Sequence, residues 1–351
     1  MLQEVVVVLI LSTVSFLAAF FLAPALARLL VKYHCYKKQA RTVAPDGKGT
    51  PLFHAIHQFK EIDTPRMAGV LFWFTTLGLA ILFYLLSIWN PWFEKFDFLS
   101  RSQTWIPLFT LVAASLLGLI DDLMVVRGWG VGATGGGLKF RYRLLVVFLI
   151  SLVGAYWFYF KLGWDTIHLP FLGDIQLGYF YIILFIITMI GLFSGSVIDG
   201  LDGLAGGVFA IIFAIYSVIS FVRGQYDLAA FCGVLAGALI AFLWFNIPPA
   251  RFYMGETGIL GLTTTLAVVA FLTNTVLLLP IIALILFLEI ASVAIQLFSK
   301  RFFNKKIFLI APLHHHFEAK GWPSYKVTMR FWLITGLTAT LGLILFLVDK
   351  V

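Results

Sequence analysis

The chain has 351 residues, 61% of them hydrophobic and only 12% charged. That balance excludes a soluble globular domain and defines an all-α polytopic membrane protein. The net charge of +8 does not point to nucleic acid, because the basic residues cluster between apolar runs.

Ten runs are long enough to cross a bilayer at about 20 apolar residues each. They lie near 4–30, 67–90, 104–122, 143–161, 178–198, 203–222, 228–246, 257–277, 279–299 and 330–349. The first has Glu4 where a secretory leader is basic, and is too long for a leader's apolar core, so it reads as a retained span. Leu279-Pro280 alone separates the eighth run from the ninth. No repeat or soluble segment interrupts the chain, so residues 1–351 form a single integral membrane domain. Its main polar loops are 31–66, 123–142, 199–203, 247–256 and 300–329. Cys35 and Cys232 are far apart without metal-type spacing, and read as packed free thiols.

Basic residues set the orientation. All but five of the 25 lysines and arginines fall at 28–66, 127–143, 251 and 300–330, the connections after spans one, three, seven and nine. The exceptions are Lys95, Arg101, Lys161, Arg223 and Lys350. The odd-to-even loops are therefore expected in the cytoplasm, and ten spans put both termini outside. This parity brings four acidic or histidine-rich stretches to the cytoplasmic side.

Asp121-Asp122 close the third run. Adjacent carboxylates repel without a cation, and a hard divalent ion on substrate phosphates would supply one; a solvated helix end is the plain alternative. Asp199 and Asp202 follow span five in Asp199-Gly-Leu-Asp-Gly-Leu204. Three residues apart, they would share a helical face. Asp202 could also cap the helix, which leaves the Gly-Leu repeat unexplained. Between spans seven and eight, the stretch from Asn246 to Glu256 offers Tyr253, a turn at Gly255 and a carboxylate opening a helix. An aromatic belt with a dipole-favoured glutamate would look the same. His314-His315-His316 make a poor single metal site, since neighbouring side chains diverge. They suit a cationic, hydrogen-bonding lip for an anionic substrate. The first loop, with Lys37, Lys38, Arg41, His54, His57, Lys60 and Arg66, suits phosphate or anionic lipid, or is simply the basic side of the membrane. Glu289 lies deep in span nine and must face protein or a cavity.

Together these residues resemble the phospho-N-acetylmuramoyl-pentapeptide transferase family, nearly end to end. Ala311-Pro-Leu-His-His-His-Phe-Glu318 with Lys320-Gly-Trp322 is the most specific segment. Ile120-Asp121-Asp122 and Asp199–Ala205 belong to the wider polyprenyl-phosphate N-acetylhexosamine-1-phosphate transferase superfamily. The resemblance implies a bacterial inner-membrane enzyme with its site facing the cytoplasm. It implies UDP-MurNAc-pentapeptide and undecaprenyl phosphate as substrates, lipid I and UMP as products, and Mg²⁺ as cofactor. Membrane lipid is the surrounding partner, no nucleic acid is implied, and a homodimer is left open. By the same resemblance Asp121, Asp122, Asp199 and Glu256 are catalytic, with Asp122, Asp199 and Glu256 on the metal. Gly200, Leu201 and Asp202 line the uridine pocket beside Asn246 and Tyr253. His314, His315 and His316, with Lys60 and Arg143, complete substrate binding.

The chain departs from the family pattern at several points. Glu256 replaces an aspartate, Arg143 and Val125 replace lysines, Phe193–Ile198 lacks the two usual asparagines, and Lys60 is one residue out of register beside Glu61. Three other readings stay open. A polyprenyl-phosphate GlcNAc-1-phosphate transferase would lack the histidine triplet. A secondary transporter would carry its acids near the midplane. A catalytically silent relative would tolerate the substitutions. The chemistry needs only positioning and charge neutralisation of phosphate.

Overall fold

A computed structural model of the protein describes residues 2–37, 64–129 and 137–349. Lys60, with Lys38, Arg41, His54, His57 and Glu61, lies outside them. The described chain is a helical bundle of α1 (Leu2–Lys32), α2 (Val70–Trp89), α3 (Trp105–Arg127), α4 (Phe140–Tyr156), α5 (Phe180–Phe193), α6 (Leu204–Val222), α7 (Tyr226–Asn246), α8 (Glu256–Leu272), α9 (Leu279–Ile282), α10 (Leu284–Phe303), α11 (Leu313–Ala319) and α12 (Ser324–Val348).

Eight segments among the described residues are long and apolar enough to cross a membrane. They are 2–32, 70–89, 105–127, 140–161, 180–198, 204–222, 226–246 and 324–348. The two remaining expected spans differ from the rest. The run at 257–277 is the shorter apolar helix α8, which ends at Leu272. The run at 279–299 is broken at Ala283 (φ −111°, ψ 36°) into α9 and α10.

Helix α8 is the axis of the bundle. Every residue from Thr257 to Leu272 is buried, which its glycines, alanines and threonines permit by letting neighbours approach closely. Gly118 shows how close: a Cβ there would lie 2.1 Å from the Glu256 carbonyl oxygen. Helix α3 therefore crosses directly over the first turn of α8, carrying Asp121 and Asp122 one turn further on. Helices α6 and α7 pack on each other, with α1 along α7 and α12 along α6. Helices α1 and α12 stay at the rim and expose Leu9, Phe21, Leu333 and Leu337, the composition a lipid-facing surface needs.

Three expectations need correcting. Helix α3 does not stop at Asp122; it runs to Arg127 and ends at Gly128, whose φ of 72° makes a left-handed cap. The run 300–329 is not simply a loop, since it holds the end of α10, all of α11 and the start of α12. The fold is not purely helical either. Thr166–Leu169 and Gly173–Gln176 form a two-stranded antiparallel hairpin between α4 and α5. Its His168 ties three elements together. Nδ1 pairs with Asp174 Oδ1 at 2.7 Å, Nε2 with the Asp349 carboxylate beyond α12, and the backbone N–H donates to Asn274 at 2.9 Å. This clamp sits at the end of the bundle opposite Asp121 and Asp122.

Candidate active site

The start of α8 gathers the acidic residues. Gly255, with φ of 75°, turns the chain into the helix and leaves the first N–H groups pointing outward, where negative charge is favoured. Asp122 Oδ2 accepts the Thr257 N–H at 2.9 Å. Asp199 accepts the Gly255 N–H. Glu256, between those two donors, turns its side chain to Arg143, whose Nη1 lies 2.8 Å from Glu256 Oε1 and 3.5 Å from Asp121 Oδ2. Asp121 also accepts the Leu138 N–H. The four carboxylates expected at one face are thus neighbours at one end of the bundle.

Two guanidinium groups stand among them. Arg143 reaches Asp121 and Glu256 from α4. Arg66 Nε lies 3.8 Å from Asp122 Oδ1 and acts electrostatically on Asp121 and Asp199 as well. Arg66 is held through backbone: its N–H donates to Cys35, while Pro65, Ala68 and Gly69 bond Tyr253 and Met254. The positive-inside reading of the first loop understated Arg66. Burial pushes the Asp199 carboxyl up to about 6, helped by Glu256 and opposed by Arg66, the Gly255 N–H and His314.

The 199–203 segment is not helical. Asp199 follows a 3₁₀ turn, Ser194–Ile198, and Gly203 (φ 76°) precedes α6 with no side-chain cap. Asp199 and Asp202 therefore do not share a helical face, and Asp202 does not cap α6. Asp202 instead accepts the Ala250 N–H at 3.3 Å. Leu201 is buried. Asn246 is buried and staples the loops, accepting from Gly203 N–H at 3.1 Å and donating to the Phe252 carbonyl at 2.8 Å. Tyr253 is bonded to Thr64, and burial pushes its phenol up to about 12.

The histidines divide. His314 and His315 are buried with ring centroids 4.1 Å apart. His314 Nδ1 meets Glu289 Oε2 at 2.8 Å, and His315 Nδ1 meets Glu318 Oε2 at 2.7 Å. Both Nε2 atoms converge on Gly200, where a Cβ would lie 2.2 Å and 3.2 Å from them respectively. His316 turns away to accept the Leu309 N–H at 3.1 Å and packs on Phe308. Sequence reasoning flagged Glu289 without a role, and left Glu318 aside; a carboxylate inside an apolar helix was the available signal.

A divalent cation suits this donor set. Asp122 Oδ1 and Glu256 Oε2 are buried without a hydrogen-bond partner. Among the described residues no three His, Cys, Asp or Glu side chains converge as a ready-made metal site. The expected grouping of Asp122, Asp199 and Glu256 on one ion is therefore not assembled in this arrangement. Mg²⁺ commonly takes only one or two carboxylates, with water and substrate phosphate completing its shell, so the open pair fits.

A membrane-embedded helical bundle with carboxylates and guanidinium groups at one end defines a class suited to phosphoryl transfer. The family model described as glycosyl transferase family 4 matches residues 104–274. The phospho-N-acetylmuramoyl-pentapeptide-transferase of Geobacillus sp. (strain WCH70) is 35% identical over 346 residues, 98% of each chain. That of Pelagibacter ubique (strain HTCC1062) is 33% identical over 94% of this chain and 91% of its own. That of Caldanaerobacter subterraneus subsp. tengcongensis is 33% identical over 95% and 96%. The chain belongs to the phospho-N-acetylmuramoyl-pentapeptide-transferase family.

Proposed function

We propose that this protein transfers phospho-MurNAc-pentapeptide from UDP-MurNAc-pentapeptide to undecaprenyl phosphate, releasing UMP and forming lipid I at the cytoplasmic face of a bacterial inner membrane. The observation that carries the chemistry is the gathering of Asp121, Asp122, Asp199 and Glu256 around the first turn of α8, with Arg66 and Arg143 among them. The basic residues at the connections of that same end support the cytoplasmic orientation with ten crossings and outward termini.

Transfer between two phosphates needs alignment and charge neutralisation more than covalent help. Asp122 and Glu256 are the residues that would hold Mg²⁺, and when bound the ion neutralises charge on the transferring phosphate. Arg66 and Arg143 add fixed positive charge where two phosphorylated substrates meet. Asp199, raised to about 6 by burial, is suited to hold or take a proton from the lipid phosphate near neutral pH. His314 and His315 face the nucleotide-sugar end across Gly200, and a membrane-bound acceptor explains why the cluster sits at the end of the spans.

The test is UMP release by the purified, lipid-reconstituted protein with the muramoyl pentapeptide nucleotide, undecaprenyl phosphate and Mg²⁺. Release that stops with EDTA and returns with Mg²⁺ supports the reading. Equal release from UDP-GlcNAc points to the sister activity. No release from either nucleotide sinks the assignment.

A further inference from the structure

We propose that Glu289 and Glu318 are positioning residues that fix His314 and His315 with protonated Nδ1 atoms, so that both Nε2 atoms face the substrate across Gly200. This rests on the transferase reading above and assigns a role to a buried acid that the reading does not use.

Glu289 sits in the apolar interior of α10 and has no exposure to solvent. A lone carboxylate there is costly unless donors satisfy it. Both its oxygens are taken by one residue: Oε1 accepts the His314 backbone N–H at 3.1 Å, and Oε2 pairs with His314 Nδ1 at 2.8 Å. Both contacts are to His314, and Glu289 is wholly buried, so it acts through His314 rather than on substrate. An ionised carboxylate offers only acceptors, so facing it Nδ1 carries the hydrogen. The opposite nitrogen, Nε2, is buried and without a partner.

His315 repeats the arrangement with its own acid. Glu318 Oε2 pairs with His315 Nδ1 at 2.7 Å, and its Oε1 accepts the Ser324 hydroxyl at 2.5 Å. Closing the first turn of α11 would explain one such contact. It does not explain two carboxylates, from α10 and α11, holding two rings so that their Nε2 atoms approach the same glycine. Fixing ring orientation and tautomer through the far nitrogen does explain it.

The experiment is a double-mutant cycle on the reconstituted full chain, read as kcat/KM for UMP release. Glu289→Gln keeps the side chain's size but presents an amide, which can donate to Nδ1 and reverse the tautomer. It is expected to cost about 10- to 100-fold, and His314→Ala at least as much. If Glu289 acts through His314, the double variant is no slower than His314→Ala alone. Multiplying losses, or a Glu289→Gln variant within threefold of the parent, overturns the proposal. A second readout does not need turnover: ¹⁵N-histidine NMR of the protein in lipid nanodiscs, with His314 assigned by difference against His314→Ala. A protonated Nδ1 in the parent supports the proposal, and an unprotonated one overturns it even if Glu289→Gln fails to fold. A parent protein that releases no UMP but shows the protonated Nδ1 sinks the activity reading and leaves the positioning intact.

Discussion

Asp122→Asn separates a catalytic carboxylate from a helix cap. In the parent, Asp122 Oδ2 accepts the Thr257 N–H at 2.9 Å and Oδ1 faces Arg66 at 3.8 Å. Asparagine can keep its carbonyl on Thr257, so the cap survives. Its amide then faces the guanidinium donor against donor. At that separation the lost attraction is roughly 4 kcal/mol at an effective dielectric of 20. Removing a buried charge returns several kcal/mol of desolvation. The recovered desolvation offsets only part of the lost attraction because Arg66 is left facing an uncharged group, so the variant should be less stable than the parent by about 3 kcal/mol. Activity should not follow stability, because an amide neither binds a hard cation as a carboxylate does nor balances Arg66. Loss of one preorganised charge contact costs about 10²- to 10³-fold, or roughly 2.7–4 kcal/mol of barrier. UMP release and thermal unfolding, measured on the same reconstituted preparation, report both. A folded variant with turnover within threefold of the parent would reduce Asp122 to a cap and refute the argument.

Gly255→Ala places a Cβ 2.4 Å from Asp122 Oδ2 at φ 75°. With ψ at 176° the position lies in a region essentially reserved for glycine, so the change should cost about 1–3 kcal/mol in backbone strain and more than tenfold in UMP release; an unchanged unfolding midpoint with full activity contradicts this. Glu256→Asp withdraws the carboxylate by about 1.5 Å, one carbon–carbon bond, and opens its 2.8 Å contact with Arg143. The single variant should lose activity; UMP release equal to the parent's contradicts this. At the opposite end, burial draws the His168 imidazole down, but the hydrogen bonds to Asp174 and Asp349 win and raise it above its ordinary value. A raised histidine stabilises the fold below about pH 6.5, its ordinary pKa, and loses that contribution as pH rises through the folded value. The Phe171 N–H and His168 hold Asp349 below the usual carboxylate range, so its share fades only in stronger acid. The protection factors of the 166–176 hairpin amides, exchange rates corrected for their intrinsic pH dependence, should therefore be highest between about pH 4 and 6.5 and fall above. His168→Gln should flatten that profile, and an unchanged profile would dismiss the clamp.

The carboxylates were legible because charge inside an apolar chain is costly, so each one marks itself. The count of apolar runs then put Asp121, Asp122, Asp199 and Glu256 at one end, and their shared contacts with the start of α8 agree. What could not be read was local geometry without periodicity. Residues 199–203 read as a loop, yet the spacing of Asp199 and Asp202 suggested a shared helical face; the 3₁₀ turn before Asp199 and the left-handed Gly203 leave no helix there for them to share. The hairpin was invisible because strands of four residues carry too little alternation to register. The Glu289–His314 pair spans 25 residues of sequence, and nothing in either segment names the other. Arg66 looked like ordinary loop charge until the backbone bonds of residues 65–69 to Tyr253 and Met254 fixed it beside Asp122.

Two departures from the family pattern become one when their positions are compared. Glutamate stands where the resemblance expects aspartate at 256, and arginine where it expects lysine at 143. Read separately, a longer acid and a longer base each move a charge out of place. In the fold they meet at 2.8 Å, on residues that are only 24% and 20% exposed. One nitrogen, Nη1, makes both contacts, bonding Glu256 while it stays 3.5 Å from Asp121. That contact holds Glu256 Oε1, and its second oxygen, Oε2, remains without a hydrogen bond. Four carboxylates against two guanidinium groups still leave an excess of negative charge at the start of α8 when all are ionised. The Mg²⁺ proposed above for Asp122 and Glu256 would balance that excess.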